Sequence, residues 1–373
     1  MTTERKKELV IFLMTLGLHI LILLLAFGAY RVQNSGAGLQ YLRERFTTAG
    51  DSPHYLFLAR EGYQSQGSQA KLIVFYPLYP LLMKALGILL LGNYELAGLL
   101  ISNVCAGLAS VYLYKLVKLD YGEQRAAESV LLFLLYPFMM FTMGVYTESL
   151  FLLLTLAALY EMRGGRWVQV GVLGFGAALC RTQGMLLLAP AVYEWLHVRA
   201  ERGKSFREYA SIRHLTILLI PAGFLCYLIL NYVTLGDFTA FWGYQQAAPW
   251  YQSTQWINAN ITKDYGMALD YRGLSFIIYW VQIVLIFLAL AVLLYGIRKR
   301  VRTSLIVYGG IYTCFCYLAG WLISGPRYMM GCVPLFIVYA AVERERVRYV
   351  ILGISAVLCM VYTILYMQGQ AIM

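Results

Sequence analysis

The sequence predicts an all-α, polytopic membrane protein: one domain over residues 1–373 with about eleven transmembrane helices. Three observations lead there. The chain is 60% hydrophobic and 13% charged, whereas a soluble domain is about half apolar and about a quarter charged. Its mean hydropathy is +0.64. Its apolar residues also come in runs close to the roughly 20 residues that a spanning helix needs.

The first run, Leu9–Tyr30, follows "ERKKE". It is longer than the roughly 7–15-residue core of a signal peptide, so it is expected to be a retained anchor. Further full-length candidates are Leu96–Val117, Ala126–Val145, Leu215–Leu235, Leu274–Ile297, Ser304–Ile323 and Tyr349–Tyr366. Shorter ones are Ser149–Glu161, Val168–Cys180, Met185–Val198 and Tyr328–Val342. No internal repeat, low-complexity tract or Gly-Ser linker divides the chain.

Lys and Arg set the expected orientation. Arg199, Arg202, Lys204, Arg207 and Arg213 crowd one connection, and "RKRVR" (298–302) fills another. Lys115, Lys118 and Arg125 mark a third, and Arg163 with Arg166 a fourth. All four read as cytoplasmic, which places Gly236–Arg272 and Arg31–Lys71 on the outer side. The second of these segments carries five basic residues of its own, but long loops obey the rule less strictly. If Phe75–Gly92 also crossed, the sign of every later loop would invert. It is therefore expected to begin and end outside, as an interfacial or re-entrant helix. Lys84 within it and Pro77 and Pro80 at its start agree.

Composition also excludes. The net charge of +11 is accounted for by these orientation signals, so no nucleic-acid partner is expected. The seven cysteines all lie in or beside apolar segments and read as small buried hydrophobes. No G-x-x-x-x-G-K-[ST], H-E-x-x-H or G-x-S-x-G occurs, which gives no support to ATP-driven transport or zinc proteolysis. No metal requirement and no cofactor are expected.

The polar residues of this apolar chain are the candidates for chemistry. Asp51-Ser52-Pro53 starts a helix and Gly62 ends it. Tyr55, Leu56, Ala59 and Tyr63 line one face of the short amphipathic helix so defined, expected on the outer membrane surface. Asp51 and His54, three apart, are neighbours at its start. From local sequence alone, Asp51 is as well explained by capping as by catalysis. Glu148 in "VYTESLF" stands where one span ends and the next begins. A charge at a helix centre costs about 2.5–3.5 kcal/mol, less near the interface. A functional carboxylate and a helix-start Glu beside Thr147 are the two readings. Arg181 and Gln183 in "CRTQGML", and Arg327 and Tyr328 in "SGPRYMMGCVPLF", occupy outer turns. An arginine fork in apolar surroundings suits phosphate, although Arg181 could instead pair with Glu148. The aromatic residues Trp242, Tyr244, Trp250, Tyr251 and Trp256 of the outer segment fit an interfacial belt. With 31 tyrosines in the chain, no single aromatic weighs much.

In order and spacing, "GDSPHYLFLAREGY", "FYPLYPLL", "YTESLFLLL" and "RTQGMLL" resemble the PIG-V mannosyltransferase family, polytopic glycosyltransferases of the GT-C fold. "GPRYMMGCVPLF" resembles the family's later part more loosely. One position departs: Gly50 stands where the family usually has Trp before the Asp. The resemblance implies a polyprenyl-phosphate sugar donor, mannose in the first instance, and a lipid- or glycan-linked acceptor. Transfer is implied on the non-cytoplasmic face of the cell membrane, with inversion at the anomeric carbon. Asp51 is then the catalytic base. His54, Tyr55, Tyr79, Glu148, Arg181, Gln183, Arg327 and Tyr328 are the substrate-binding candidates. The eukaryotic family adds the second mannose of the GPI anchor. This short chain is more like the prokaryotic relatives, and that role does not carry over. A transporter or lipid flippase is the alternative, but transporters often show internal repeats and mid-membrane polar sites. A non-catalytic scaffold would leave Asp51, Glu148 and two outer arginines without purpose.

Overall fold

A computed structural model describes residues 2–201, 203, 205, 211–270, 274–319 and 324–370, with 274–277 described in backbone only. The described residues are 79% helical and include no strand. Among the described residues, five helices are long and apolar enough to cross a membrane: Thr3–Gln33, Tyr94–Leu134, Ile212–Leu235, Ile278–Arg298 and Glu345–Met367. The protein is integral to a membrane. Two compact units divide the chain, each built from separated segments. The first comprises Met1–Arg60, Leu81–Leu153 and Phe336–Met373; the second comprises Glu61–Pro80 and Leu154–Leu335.

In the first unit, α1 (Thr3–Gln33) packs on α5 (Tyr94–Leu134) and on the last helix, Glu345–Met367. Thr2 caps α1, its hydroxyl accepting from the Arg5 amide at 3.4 Å. Val10, Leu13, Ile20 and Leu24 face outward, as lipid-facing residues do. The inward stripe of α1 includes Thr15 and His19, both satisfied locally, as a spanning helix requires. Thr15 donates to the Ile11 carbonyl at 3.0 Å. His19 Nδ1 donates to Asn103 Oδ1 at 3.0 Å, and the Asn103 amide donates to Leu99 O and Met143 O.

The charged turn expected near Lys115–Arg125 is present. Gly122 (φ 78°, ψ 178°) breaks α5 into two helices there. Lys118 pairs with Glu4 and Glu123, each at 2.8 Å, and Lys7 with Glu123 at 2.7 Å. The opposite end of α1 holds α2 (Leu39–Thr47) and α3 (Ser52–Glu61). There Tyr30 stacks on Tyr41, whose hydroxyl donates to Met367 O.

The second unit packs α7 (Trp167–Cys180) against the Ile212–Leu235 span. Gly236 (φ 75°) ends that span. The helix Ile257–Asp270 lies on Leu274–Arg298 and on Thr303–Tyr317. Glu194, in α8 (Leu188–Glu201), is buried and accepts two hydrogen bonds from Arg302 and one from Ser304.

Several expected spans take a different form. Ala126–Val145 is not one helix: it stops at Leu134, and after Pro137 the chain makes a 3-10 turn over Met139–Thr142. Tyr328–Val342 is divided between the short helices Gly325–Met329 and Pro334–Ala340, with Pro334 starting the second. The helix within Ser304–Ile323 ends at Tyr317, and residues 320–323 lie outside the described residues, as do Arg202, Lys204, Arg207 and Arg272. Within Phe75–Gly92 the helix α4 covers Leu78–Leu89. Twelve residues rise about 18 Å, short of the roughly 30 Å hydrocarbon core.

Candidate functional site

In the first unit, the segment bearing Asp51 is fastened to the segment leading into Glu148. The Ser52 hydroxyl donates to Val145 O at 3.1 Å, and the Tyr146 hydroxyl donates to Ala49 O at 2.8 Å. One turn earlier, the Val145 amide donates to Phe46 O at 3.0 Å. Tyr366 closes the cluster: its hydroxyl meets that of Tyr146 at 3.0 Å and donates to Arg45 O at 2.8 Å. Arg45 in turn donates to Tyr366 O at 2.6 Å and lies over its ring. Tertiary hydrogen bonds thus join two stretches that the sequence holds nearly a hundred residues apart.

The local chain explains the rest of this cluster. Gly50 has φ +57°, a conformation that a residue bearing Cβ adopts only at a cost. This gives the glycine before Asp51 a local reason. The first amides of α3, His54 and Tyr55, donate to Asp51 O, so Asp51 stands at the helix start as its sequence predicts. Gly62 (φ +77°) stops the chain just past that helix, also as predicted. Asp51 and His54 are half-buried and Tyr55 is buried. Leu56, Leu58 and Ala59 are buried too, while Arg60 and Glu61 are exposed. More of α3 is therefore enclosed than the single apolar face expected of a surface helix. Glu148 begins α6 (Glu148–Arg163), with Thr147 O accepting from the Phe151 amide. Thr147, Glu148 and Ser149 are all buried.

In the second unit, Arg181 is the extended residue (φ −156°, ψ 151°) between α7 and a 3-10 helix over Thr182–Leu187. Gly184 makes this turn feasible: a Cβ there would overlap the Ala177 carbonyl carbon and oxygen. Tyr328, 147 residues downstream in sequence, meets Arg181, whose guanidinium carbon is 5.4 Å from the Tyr328 ring centroid. Tyr328 is held from two further sides. Its carbonyl accepts from Tyr312 at 3.0 Å and its hydroxyl from Gln252 at 3.5 Å. Arg327 is buried in the short helix Gly325–Met329. Tyr79 is fully buried. Among the described residues, no three His, Cys, Asp or Glu side chains cluster as a metal ion would require.

Sequence reasoning missed the residues that hold these candidates in place. Tyr146 lay inside the quoted "VYTESLF" and Tyr76 inside "FYPLYPLL". Nothing in one sequence separates them from the other tyrosines, because their partners are backbone carbonyls or distant hydroxyls.

Comparison with known proteins follows this geometry. Residues 76–229, under half of the chain, match the family described as dolichyl-phosphate-mannose-protein mannosyltransferase. No curated protein matches the sequence. Among solved structures, the chain is similar to ArnT from Cupriavidus metallidurans bound to undecaprenyl phosphate, with a TM-score of 0.55 and 15% identity over 90% of this chain. It spans 62% of the length of that ArnT chain. Archaeal oligosaccharyltransferase AglB from Archaeoglobus fulgidus, in complex with an inhibitory peptide and a dolichol-phosphate, gives a TM-score of 0.47 at 11% identity. That alignment covers 96% of this chain and 56% of AglB. The ArnT likeness makes the fold GT-C-like.

Proposed function

We propose that the protein is an inverting membrane glycosyltransferase. It moves a hexose, mannose in the first instance, from a polyprenyl-phosphate carrier to a lipid- or glycan-linked acceptor on the non-cytoplasmic side, with the whole chain acting as one catalytic domain. The observation that carries the reading is the fastening of the Asp51 loop, by Ser52 and Tyr146, to the segment that begins at Val145 and runs into Glu148. Two acidic residues on adjoining segments at one end of an apolar helical unit are costly to keep there unless chemistry uses them. The ArnT-like fold and the match over residues 76–229 support a lipid-phosphate sugar as donor.

The chemistry follows from these side chains. A sugar hydroxyl is a weak nucleophile at neutral pH. Asp51 takes its proton as the oxygen bonds to the anomeric carbon. The bond from that carbon to the lipid phosphate breaks on the opposite face, so the configuration inverts. Negative charge grows on the departing phosphate, and fixed cations counter it. Arg181 and Arg327 are assigned to that task, with Tyr328 backing Arg181. His54 and Glu148 bind and orient the acceptor, and Tyr55, Tyr79 and Gln183 shape the sites for donor and acceptor.

The test is transfer of radiolabelled mannose from polyprenyl-phosphate mannose by purified protein. Retention of full activity in Asp51→Asn would remove the base assignment. Absence of transfer from every lipid-linked sugar, together with flux of substrate across liposomes, would replace the enzyme with a transporter.

A further inference from the structure

The Arg181 turn has a support that the proposed chemistry does not use. Tyr76 is buried, and its hydroxyl shares a 2.7 Å hydrogen bond with Thr182 Oγ1. Thr182 stands directly between Arg181 and Gln183. Tyr76 is itself fixed. Its ring stacks on Tyr227 with centroids 3.9 Å apart and planes 25° apart. Tyr227 is fully buried and spends its own hydroxyl on Ile73 O at 2.7 Å. The residue before Tyr76 is held as well, since Tyr63 donates to Phe75 O at 2.7 Å. Tyr76 is therefore a rigid post with one hydroxyl to offer, and that hydroxyl meets the residue next to the arginine.

We infer that Tyr76 is a positioning residue for Arg181: through Thr182 it sets the direction from which the guanidinium meets the phosphate of the lipid-linked donor. This rests on the reading of Arg181 as a phosphate ligand. The geometry explains why such a support is needed. Arg181 has left the helical body of α7, and its extended backbone donates to Ala177 O and accepts from the Gly184 amide at 2.9 Å. Its guanidinium meets Tyr328 through a ring face, a contact that fixes distance better than direction. Bidentate recognition of a phosphate depends on direction. The Tyr76–Thr182 bond anchors the next residue and so fixes the stretch of backbone from which the arginine side chain leaves.

The bond is also asymmetric, which makes it testable. Tyr76→Phe leaves Thr182, which is half-buried, able to find water. Thr182→Val instead strands a buried phenol without a partner, the costlier arrangement. The readouts are KM and kcat for polyprenyl-phosphate mannose, Kd for undecaprenyl phosphate as a non-reacting probe, and the melting temperature, all on the full-length protein in detergent. Tyr76→Phe should raise KM and the probe Kd about fivefold with kcat within about twofold, as loss of one net hydrogen bond of about 1 kcal/mol gives. Thr182→Val should raise them more, Thr182→Ser should restore wild-type values, and the double variant Tyr76→Phe/Thr182→Val should be no worse than Thr182→Val alone. The inference is overturned if the single variants leave KM and Kd unchanged, lower only the melting temperature, or add independently in the double variant. Arg181→Ala separates the two levels. If it leaves the probe Kd unchanged, the phosphate reading itself fails. If it weakens the probe while Tyr76→Phe does not, only the positioning role fails.

Discussion

The Asp51 loop of the first unit and the Arg181 turn of the second differ in how far side-chain pairs contribute to holding them. Around Asp51 the fastening runs from side chains to backbone: Ser52 to Val145 O, Tyr146 to Ala49 O, Tyr366 to Arg45 O and Arg45 to Tyr366 O. Around Arg181 such bonds recur, Tyr312 to Tyr328 O among them, and side-chain pairs are added: Tyr76 to Thr182, Tyr76 stacked on Tyr227, the guanidinium over Tyr328, and Gln252 to Tyr328. A carbonyl acceptor is present whatever residue carries it, so the first arrangement fixes a path of the chain. The second fixes side-chain identities, because each partner is itself replaceable. A loop that must present one carboxylate at a helix start needs only its path. A turn that must aim a long, flexible guanidinium needs its neighbours specified.

The largest expected effect isolates the Asp51 loop. Asp51→Asn keeps the backbone path and removes the base, so kcat should fall by about 10²–10⁴-fold with the melting temperature unchanged. A matching fall in melting temperature would show instead that Asp51 belongs to the fastening. Next, Arg181→Ala should raise the Kd for undecaprenyl phosphate roughly 10–100-fold, the scale of a charge-assisted hydrogen bond. Arg181→Lys should recover only part, because a point charge lacks the planar fork. Full recovery by lysine would show that charge alone suffices at the turn and would blunt the contrast between the two sites.

A third substitution breaks the turn itself. Gly184→Ala forces a Cβ onto the Ala177 carbonyl, and overpacking of this kind costs about 1–3 kcal/mol. Calorimetry should show a lower melting temperature, with donor affinity falling before acceptor affinity. Smaller still, Tyr146→Phe deletes the bond to Ala49 O at about 0.5–1.5 kcal/mol. It should lower stability without touching the Kd for undecaprenyl phosphate, which Tyr76→Phe should do in reverse.

A pH-dependent effect, with no change in donor affinity, tests the second unit away from the turn. Asp264 is buried on the helix Ile257–Asp270, one of its oxygens lacks a hydrogen-bond partner, and burial pushes its carboxyl up to about 6. A folded-state value above the unfolded one means that the folded protein binds the extra proton between about pH 4 and 6, so its stability falls as pH rises through that window. Asp264→Asn should flatten this part of the melting-temperature profile and leave the Kd for undecaprenyl phosphate unaltered. An unchanged profile would show that the carboxylate is solvated after all.

Part of this was legible in the sequence because it depends on neighbours along the chain. Hydrophobic length predicted the spans at both termini, and the Lys115–Arg125 charges predicted the break that Gly122 makes in α5. Asp51-Ser52-Pro53 and Gly62 bounded α3 to within a residue. Two of the failed spans trace to proline: Pro137 and Pro334 divide runs whose mean hydropathy alone looks like one helix.

By itself, the sequence determined that this chain is helical and membrane-bound, which polar residues interrupt its apolar runs, and that these fall at helix ends. Hydropathy and capping are local, and a one-dimensional reading captures them. Only the tertiary structure decided that Ser52 and Tyr146 fasten the Asp51 loop, that Tyr328 lies against Arg181, and that Tyr76 reaches Thr182. Each of those contacts spans roughly a hundred residues or more. Each also ends on a carbonyl, a ring face or a hydroxyl, groups so common in this chain that nothing short of their placement in space distinguishes the one that bonds.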